Sequence, residues 1–169
     1  FVIKRDNYVS SAGPRVNKEI FIDPIRLIDN TGKMLGVIKL NKALEIAKGK
    51  FIARQDADDV SLPKRFEKQI NWFLKDERRV LCGTNCKILN KNNVYKNNKS
   101  LKFTNSGITK KLKYSNCFVH SSTMFLRNSA KNLRNYDENL KYAQDYDLWW
   151  KLTTLGEVGN LNEKLLILR

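Results

Sequence analysis

Cysteine is scarce in this chain, and its placement excludes two common structural roles. The 169 residues include three cysteines, Cys82, Cys86 and Cys117, an odd number without a Cys-x-x-Cys pair. This pattern fits neither a disulfide framework nor a zinc site, and it is compatible with a reducing compartment. Cys82 lies in the apolar run 80–83, where we expect a small buried thiol.

Long hydrophobic segments are also missing. No apolar run approaches the roughly 20 residues that a membrane-spanning helix needs. Residues 1–6 lack the basic lead, the sustained apolar core and the small-residue cleavage site of a signal peptide. We therefore expect a cytoplasmic protein whose contact with a membrane is peripheral at most.

Acidic residues are few beside the basic ones. Lys and Arg outnumber Asp and Glu by 32 to 17, and the net charge of +15 favours nucleic acid, phosphorylated sugar donors or an anionic membrane face as partners. Compositional bias is the simpler explanation, because lysine and asparagine are spread along the whole chain. No Arg-rich arm and no basic motif interleaved with aromatic residues is present, so we expect no specific nucleic acid partner.

A dense group of carboxylates follows a short run that starts apolar. The run 51–54 predicts a buried strand whose C-terminal end presents Asp56, Asp58 and Asp59. Open α/β sheets bind ligands at such an edge. Two carboxylates about 4 Å apart repel by roughly 4 kcal/mol at an effective dielectric of about 20, so the group favours a bound Mg²⁺ or Mn²⁺. A solvated turn with a helix cap at Ser61 or Asp59 is the alternative.

The pattern continues on both sides of the carboxylates. The matching segments are Asn41, 47–59, 62–66 and Gln69. Together they resemble the centre of family 2 glycosyltransferases of the GT-A fold. In that family an Asp-x-Asp motif at the end of a strand holds the metal of a nucleotide-sugar diphosphate. The resemblance implies that Asp56 and Asp58 bind the donor and the metal, with Asp59 as a further metal ligand.

A second acidic motif opens the last predicted helix. One carboxylate and three apolar residues recur at i, i+3, i+4 and i+7: Asp145, Leu148, Trp149 and Leu152. Asp145 thus stands at the N-terminal end of an apolar helix face, where an acid that complements the helix dipole is the simple explanation. The stretch 144–149 resembles the family's acidic motif at the acceptor site. The resemblance implies that Asp145 is the catalytic base, while Asp147 points to another face.

Further residues beside Asp145 are candidates for the acceptor site. Gln144 replaces an acid that many family members carry at this position, and it is expected to contact the acceptor. Trp149 and Trp150 are expected to form an acceptor wall. Core packing is the alternative for at least one of these tryptophans.

Four other positions are assigned to the donor site: Gly36, Asn41 and His120 by resemblance, and Arg65 by its position. Gly36 and Asn41 look like the family's glycine loop and the asparagine after it, while a solvent-facing asparagine at a helix start is equally compatible. Arg65 lies one turn from the carboxylates and is expected to meet the diphosphate, or to be an ordinary surface charge. His120, the only histidine, lies in a run similar to the family's His-Ser-Ser strand. There it would ligate the cation or offset leaving-group charge, and a packed, hydrogen-bonded histidine is the alternative.

Apolar periodicity predicts two helices around the carboxylates. The first carries an apolar stripe and ends at Gly49; its members are Leu40, Ala43, Leu44 and Ala47. The second is expected to be capped by Ser61, with Pro63 in its first turn. Its predicted buried stripe is Phe66, Ile70, Phe73 and Leu74.

Strands are expected at 25–28, 80–84 and 87–89, with a hairpin from the last of these to 94–95. The polar stretch 96–106 predicts a mobile loop, followed by a short helix near Ile108. The C-terminal residues predict a loop and a closing strand.

The resemblance implies an α/β protein with a GT-A-like mixed sheet flanked by helices. Residues 1–24 show no counterpart of the family's first strand, first helix and acidic turn for base and ribose. The domain is therefore expected to comprise 25–169 and to form an incomplete Rossmann-like half.

The function implied by the resemblance is sugar transfer. A metal-dependent, inverting glycosyltransferase would move a sugar from a nucleotide-diphosphate donor to a glycan or lipid-linked acceptor, as in polysaccharide biosynthesis. A catalytically inactive, truncated remnant or binding module of the same fold is the alternative. The donor sugar, its nucleotide, the acceptor and the oligomeric state cannot be read from the sequence.

Overall fold

The computed structural model describes residues 2–5, 25–28, 34–56, 58–89, 95–97 and 101–169. Nine strands within these ranges form one sheet. The strands are β1 (Val2–Arg5), β2 (Ile25–Ile28), β3 (Met34–Ile38), β4 (Phe51–Arg54), β5 (Val60–Ser61), β6 (Arg79–Leu89), β7 (Tyr95–Asn97), β8 (Met124–Leu126) and β9 (Glu157–Leu168). The helices are α1 (Leu40–Ile46), α2 (Arg65–Leu74), α3 (Asn105–Leu112), α4 (Arg127–Asn132) and α5 (Gln144–Leu152), with a 3₁₀ turn at His120–Ser122.

The strand order in the sheet is β3-β2-β1-β4-β8-β6-β9-β5, and β7 pairs with β6. β1 with β4 and β6 with β9 are parallel, whereas the other neighbouring pairs are antiparallel. Helices pack against this mixed sheet, which confirms the predicted fold class.

The antiparallel pairing of β4 with β8 brings two distant segments together at one edge of the sheet. Phe51 pairs with Leu126 and Ala53 with Met124, so β8 begins where β4 ends. The backbone N–H of Arg54 donates to the carbonyl of Thr123 at 2.9 Å. The residues that enter β8, 120–123, therefore lie beside the residues that leave β4.

The hydrophobic core occupies both faces of the sheet centre. On one face, Leu81 and Phe125 pack with buried residues of α1, α3 and α5. On the other face, Cys82 and Met124 pack with Phe73 of α2. Successive strand side chains point to opposite faces, so β6 and β8 each contribute to both clusters. Burial raises the pKa of the Cys82 thiol to about 12, and the prediction of a buried thiol is confirmed.

The helices are short. None in the described ranges is both long and apolar enough to cross a membrane. α1 confirms the first predicted helix, because Ala43, Leu44 and the adjacent Ala47 are buried. α3 confirms the helix near Ile108 and begins at Asn105, inside the stretch predicted as a loop.

The buried face of α2 differs from the predicted one. Arg65, Gln69 and Phe73, at i, i+4 and i+8, are buried, whereas Phe66 is 38% and Leu74 is 68% exposed. The apolar pattern does not decide which face of α2 is buried. Carbonyl and side-chain oxygens beneath this helix are buried and need donors, which Arg65 and Gln69 supply. The predicted stripe is therefore wrong at two of its four positions.

The start of α2 also differs from the prediction. Lys64 holds the N-cap position with a φ of 68°, and no side chain accepts a hydrogen bond there. Ser61, the expected cap, donates to Gln55 Oε1 and accepts from Arg65. The Ser61 hydroxyl thus bonds to the side chains of Gln55 and Arg65 instead of capping the helix.

The strands after α2 are longer than expected. The predicted strands 80–84 and 87–89 are one strand, β6, and β7 confirms the hairpin. Its turn, 90–94, lies outside the described residues, as does most of the segment 1–24. His120 lies on a 3₁₀ turn rather than on a strand.

Candidate active site

The three carboxylates after β4 lie in different environments. Asp56 is half-buried, Asp58 is exposed, and Asp59 is buried. Asp59 Oδ1 accepts a hydrogen bond from the backbone N–H of Arg169 at 3.0 Å. The pKa of Asp59 is raised because the carboxyl group is buried. The Ser121 hydroxyl and the Arg169 N–H lower this pKa, but each effect is smaller than that of burial. Asp59 therefore ties this loop to the C-terminal end of β9.

The other two acids, Asp56 and Asp58, suit a metal ion that also binds a substrate phosphate. Among the described residues, no three His, Cys, Asp or Glu side chains converge as a closed metal site. Mg²⁺ is commonly held by one or two carboxylates, with water and substrate phosphate in the other positions. Asp56 and Asp58 provide that number of accessible carboxylates, whereas Asp59 is committed to the protein.

Arg54 connects the acidic motif to His120. It is the last residue of β4 and is 2% exposed. Its Nε and Nη2 atoms donate to His120 Nε2 at 3.1 and 2.7 Å. The Nη2 atom also lies 3.4 Å from Asp56 Oδ1. Because His120 Nε2 faces a guanidinium, it is not placed to ligate a cation.

His120 in turn connects to the second acidic motif. Its Nδ1 atom lies 3.5 Å from Asp145 Oδ2. The same oxygen accepts from Asn116 Nδ2 at 3.2 Å, and Asn116 Oδ1 accepts from the Phe118 N–H at 2.9 Å. The structure thus brings Asp56, His120 and Asp145 together in one continuous line of polar contacts.

Helix α5 positions Asp145 as its sequence predicts. Leu148, Trp149 and Leu152 are fully buried, and Asp145 lies in the first turn of the same helix. Ala143 holds the N-cap position with a φ of 59° and no side-chain cap, so Asp145 is not a capping residue. Asp147 points elsewhere and pairs with Lys151 at 2.7 Å, as expected.

The two tryptophans of α5 lie in different environments, one in the core and one at the surface. Trp149 is fully buried, and its ring centroid lies 5.6–6.3 Å from those of Phe118, Phe125 and Tyr136. This packing corrects its assignment to an acceptor wall, because no face of the ring is open. Trp150 is 39% exposed.

Trp150 borders a groove beside the start of α5. The groove has a volume of about 650 Å³, and its lining includes Leu112, Leu140, Tyr142, Tyr146 and Trp150. Gln144 does not line it, because its side-chain amide donates to the Leu140 carbonyl. The groove thus lies beside the start of the helix that carries Asp145.

Arg65 lies in the interior rather than at the donor site. It is 1% exposed, and its N–H groups donate to five oxygens: Gln69 Oε1 (3.2 Å), Gln55 Oε1 (3.0 Å), Ser61 Oγ (2.6 Å), Arg54 O (2.8 Å) and Thr123 O (3.3 Å). Burial lowers the pKa of Arg65 to about 10, so its guanidinium stays charged near neutral pH. All its donors face protein acceptors, which corrects the expected contact with a diphosphate. Arg65 instead holds the loop that carries the acidic motif.

Gly36 and Asn41 lie apart from the line of contacts between Asp56 and Asp145. Gly36 is inside β3, paired in register with Leu27, at a φ of 131° that other residues rarely adopt. Asn41 Nδ2 donates to the Tyr136 carbonyl at 2.9 Å. Asn41 therefore supports the segment whose Tyr136 ring lies 6.0 Å from the Arg54 guanidinium. The donor role of both residues stays a prediction.

Sequence reasoning missed Arg54 and Asn116. Side chains alternate between the two faces of a strand, so Arg54 shares the buried side of β4 with Ile52. A buried arginine requires acceptors, and that signal was available in the sequence. Nothing in the sequence singles out Asn116.

Comparison with known families identifies the chain. A family model described as glycosyl transferase family 2 matches residues 6–134. The chain belongs to glycosyl transferase family 2. The match begins inside the segment 1–24 and ends before α5, so it includes Asp56 and His120 but not Asp145.

Two curated relatives are named for polysaccharide biosynthesis. The O-antigen biosynthesis glycosyltransferase WbnJ of Escherichia coli is 37% identical over 123 residues, which are 72% of this chain and 46% of the relative. The amylovoran biosynthesis glycosyltransferase AmsE of Erwinia amylovora is 33% identical over 139 residues, which are 81% of this chain and 52% of the relative. The chain thus spans about half the length of the curated relatives that it matches.

Solved structures confirm the GT-A-like fold. The crystal structure of S. aureus TarS 1-349 in complex with UDP superposes with a TM-score of 0.57 at 17% identity. The superposition covers 75% of this chain and 38% of TarS. TarS 1-349 has also been solved in complex with UDP-GlcNAc, and at this identity the likeness concerns the fold alone.

Proposed function

We propose that this family 2 chain carries the catalytic centre of a metal-dependent, inverting glycosyltransferase. The observation that carries the proposal is the line of contacts from Asp56 through Arg54 and His120 to Asp145. It joins two acidic groups that the reaction needs at opposite sides of the transferred sugar. One holds the diphosphate side of the donor, and the other receives the acceptor's proton.

Asp56 and Asp58 are the residues that would hold Mg²⁺ or Mn²⁺. Both are accessible to solvent, unlike Asp59, and carboxylate oxygens suit these hard cations. The bound metal would supply Lewis-acid neutralisation of the leaving diphosphate. Asp56 also contacts Arg54, whose Nη2 atom lies 3.4 Å from Asp56 Oδ1.

Asp145 is the proposed general base. Its carboxylate is partly exposed at the start of α5, so an acceptor can reach it. As the acceptor oxygen bonds to the anomeric carbon, its proton passes to Asp145 and the nucleoside diphosphate leaves with the electron pair of the broken bond. Because the acceptor attacks the face of the sugar opposite to the leaving diphosphate, a single displacement inverts the anomeric configuration.

The comparisons suggest the first substrates to test. TarS has been solved with UDP and with UDP-GlcNAc, which makes UDP-sugars the first donors. WbnJ and AmsE are named for O-antigen and amylovoran biosynthesis, which supports a glycan or lipid-linked glycan as acceptor. A lipid-linked acceptor would bring the protein to a membrane surface, where its net charge of +15 suits anionic lipids.

Donor turnover tests this proposal. The chain is expected to release UDP from a UDP-sugar in the presence of Mn²⁺ and an acceptor, to lose this activity with EDTA, and to regain it with added Mn²⁺. Proton NMR of the product is expected to show the anomeric configuration opposite to that of the donor. If no UDP-, GDP- or dTDP-sugar is consumed even at high metal concentration, the inactive remnant or binding module is the better account.

A further inference from the structure

The surroundings of Arg54 are unusual for a buried arginine. A charge that is 2% exposed normally has a close carboxylate partner, because its desolvation is costly. Arg54 lies 3.4 Å from Asp56, a long contact, and its Nη1 atom has no hydrogen-bond partner among the described residues. Its two shortest side-chain contacts converge on one imidazole nitrogen, His120 Nε2.

This geometry fixes the position of the imidazole proton. Arginine stays protonated in proteins and has only donors, so both N–H groups of Arg54 require a lone pair on His120 Nε2. The imidazole is then neutral, and its single proton is on Nδ1. That nitrogen is the one that lies 3.5 Å from Asp145 Oδ2.

The contacts of Asp145 are divided between its two oxygens. His120 Nδ1 and Asn116 Nδ2 both approach Oδ2. Asn116 Nδ2 donates a hydrogen bond to Oδ2 at 3.2 Å, and His120 Nδ1 lies 3.5 Å from the same oxygen, so both side chains restrict the orientation of the carboxylate. Neither contact involves Oδ1, the oxygen that we assign to the acceptor's proton.

We propose that Arg54 is a positioning residue for sugar transfer, because its guanidinium holds His120 as the Nδ1–H tautomer that orients the Asp145 carboxylate. This role rests on the proposed function, since it concerns the same site. Arg54 also ties the end of β4, and with it the acidic motif, to the 3₁₀ turn that carries His120, and His120 lies beside Asp145 of α5. The two acidic motifs are thus linked through the side chains of Arg54 and His120.

The tautomer is directly measurable because His120 is the only histidine. In the chain labelled with ¹⁵N-histidine, long-range ¹H–¹⁵N correlation near neutral pH is expected to show a protonated Nδ1 and an unprotonated Nε2. Arg54→Gln is expected to shift the ring toward the Nε2–H tautomer. Arg79→Lys is the matched control, because Arg79 donates to the Trp72 carbonyl and is expected to leave the spectrum unchanged.

Kinetics supply the second readout. Lysine cannot make the paired contact of a guanidinium, so Arg54→Lys is expected to lower kcat about 10- to 100-fold with the donor KM close to that of the wild type. A wild-type spectrum with the proton on Nε2, or a doubly protonated ring, would overturn the inference even if no variant folds. So would an Arg54→Gln variant that keeps the wild-type tautomer. Absence of donor turnover would refute the proposed function alone, since the NMR result does not depend on activity.

Discussion

Asp145→Asn is expected to lower the rate of sugar transfer about 100- to 10,000-fold, because the amide cannot take the acceptor's proton. The substitution keeps the size of the side chain, and Asn116 and His120 still find an oxygen to approach. Affinity for a nucleoside diphosphate is expected to stay close to that of the wild type, since Asp145 is not at the metal-binding motif. Steady-state kinetics at saturating donor and acceptor, with UDP titration beside them, measure both quantities.

Asp147→Asn is the matched control for this substitution. Asp147 lies in the same helical turn, but it pairs with Lys151 and lies away from His120. Its variant is expected to retain nearly full activity. Equal rates for the two variants would remove Asp145 from the role of base.

Arg65→Met is expected to destabilise the fold by about 3–5 kcal/mol, the range for leaving buried polar partners unmatched. Methionine retains an unbranched apolar side chain, but it satisfies none of the five oxygens that Arg65 serves. The loop that carries Asp56 and Asp58 loses the donor that fixes Gln55. The urea midpoint of unfolding, followed by far-UV circular dichroism, reports the change in stability.

Arg78→Met is the corresponding surface control. Arg78 is exposed and pairs with Asp76 and Glu157, and such pairs contribute little in water. Its unfolding midpoint is expected to stay close to that of the wild type. An Arg65→Met chain as stable as this control would show that the buried network around Arg65 is dispensable.

The elements that could be predicted from sequence are those in which side-chain periodicity and burial agree. The stripe of α5 placed Leu148, Trp149 and Leu152 in the core and Asp145 at its end. The run 51–54 placed the acidic motif at the end of a strand. In both cases the hydrophobic effect decides the orientation, and it acts on each residue independently of distant partners.

The elements that could not be predicted depend on partners far apart in the chain. Arg65 and Gln69 are buried because carbonyl groups of β4, β6 and the segment before β8 need donors, which no local pattern reveals. His120 is predicted to ligate the cation or to offset leaving-group charge at the donor site, but the register of β8 against β4 turns it to Arg54. Trp149 could not be separated from Trp150 because both fit an aromatic wall until α5 is packed on the sheet.

The central claim is that Asp56 and Asp58 form a working donor site in this chain. Calorimetric titration with UDP, with and without Mn²⁺, on the wild type, Asp58→Asn and the control Asp147→Asn tests it most directly. We expect metal-dependent binding in the wild type and in the control, and its loss in Asp58→Asn. Absence of binding by the folded chain to UDP, GDP and dTDP alike, with Mn²⁺ present, would contradict the account.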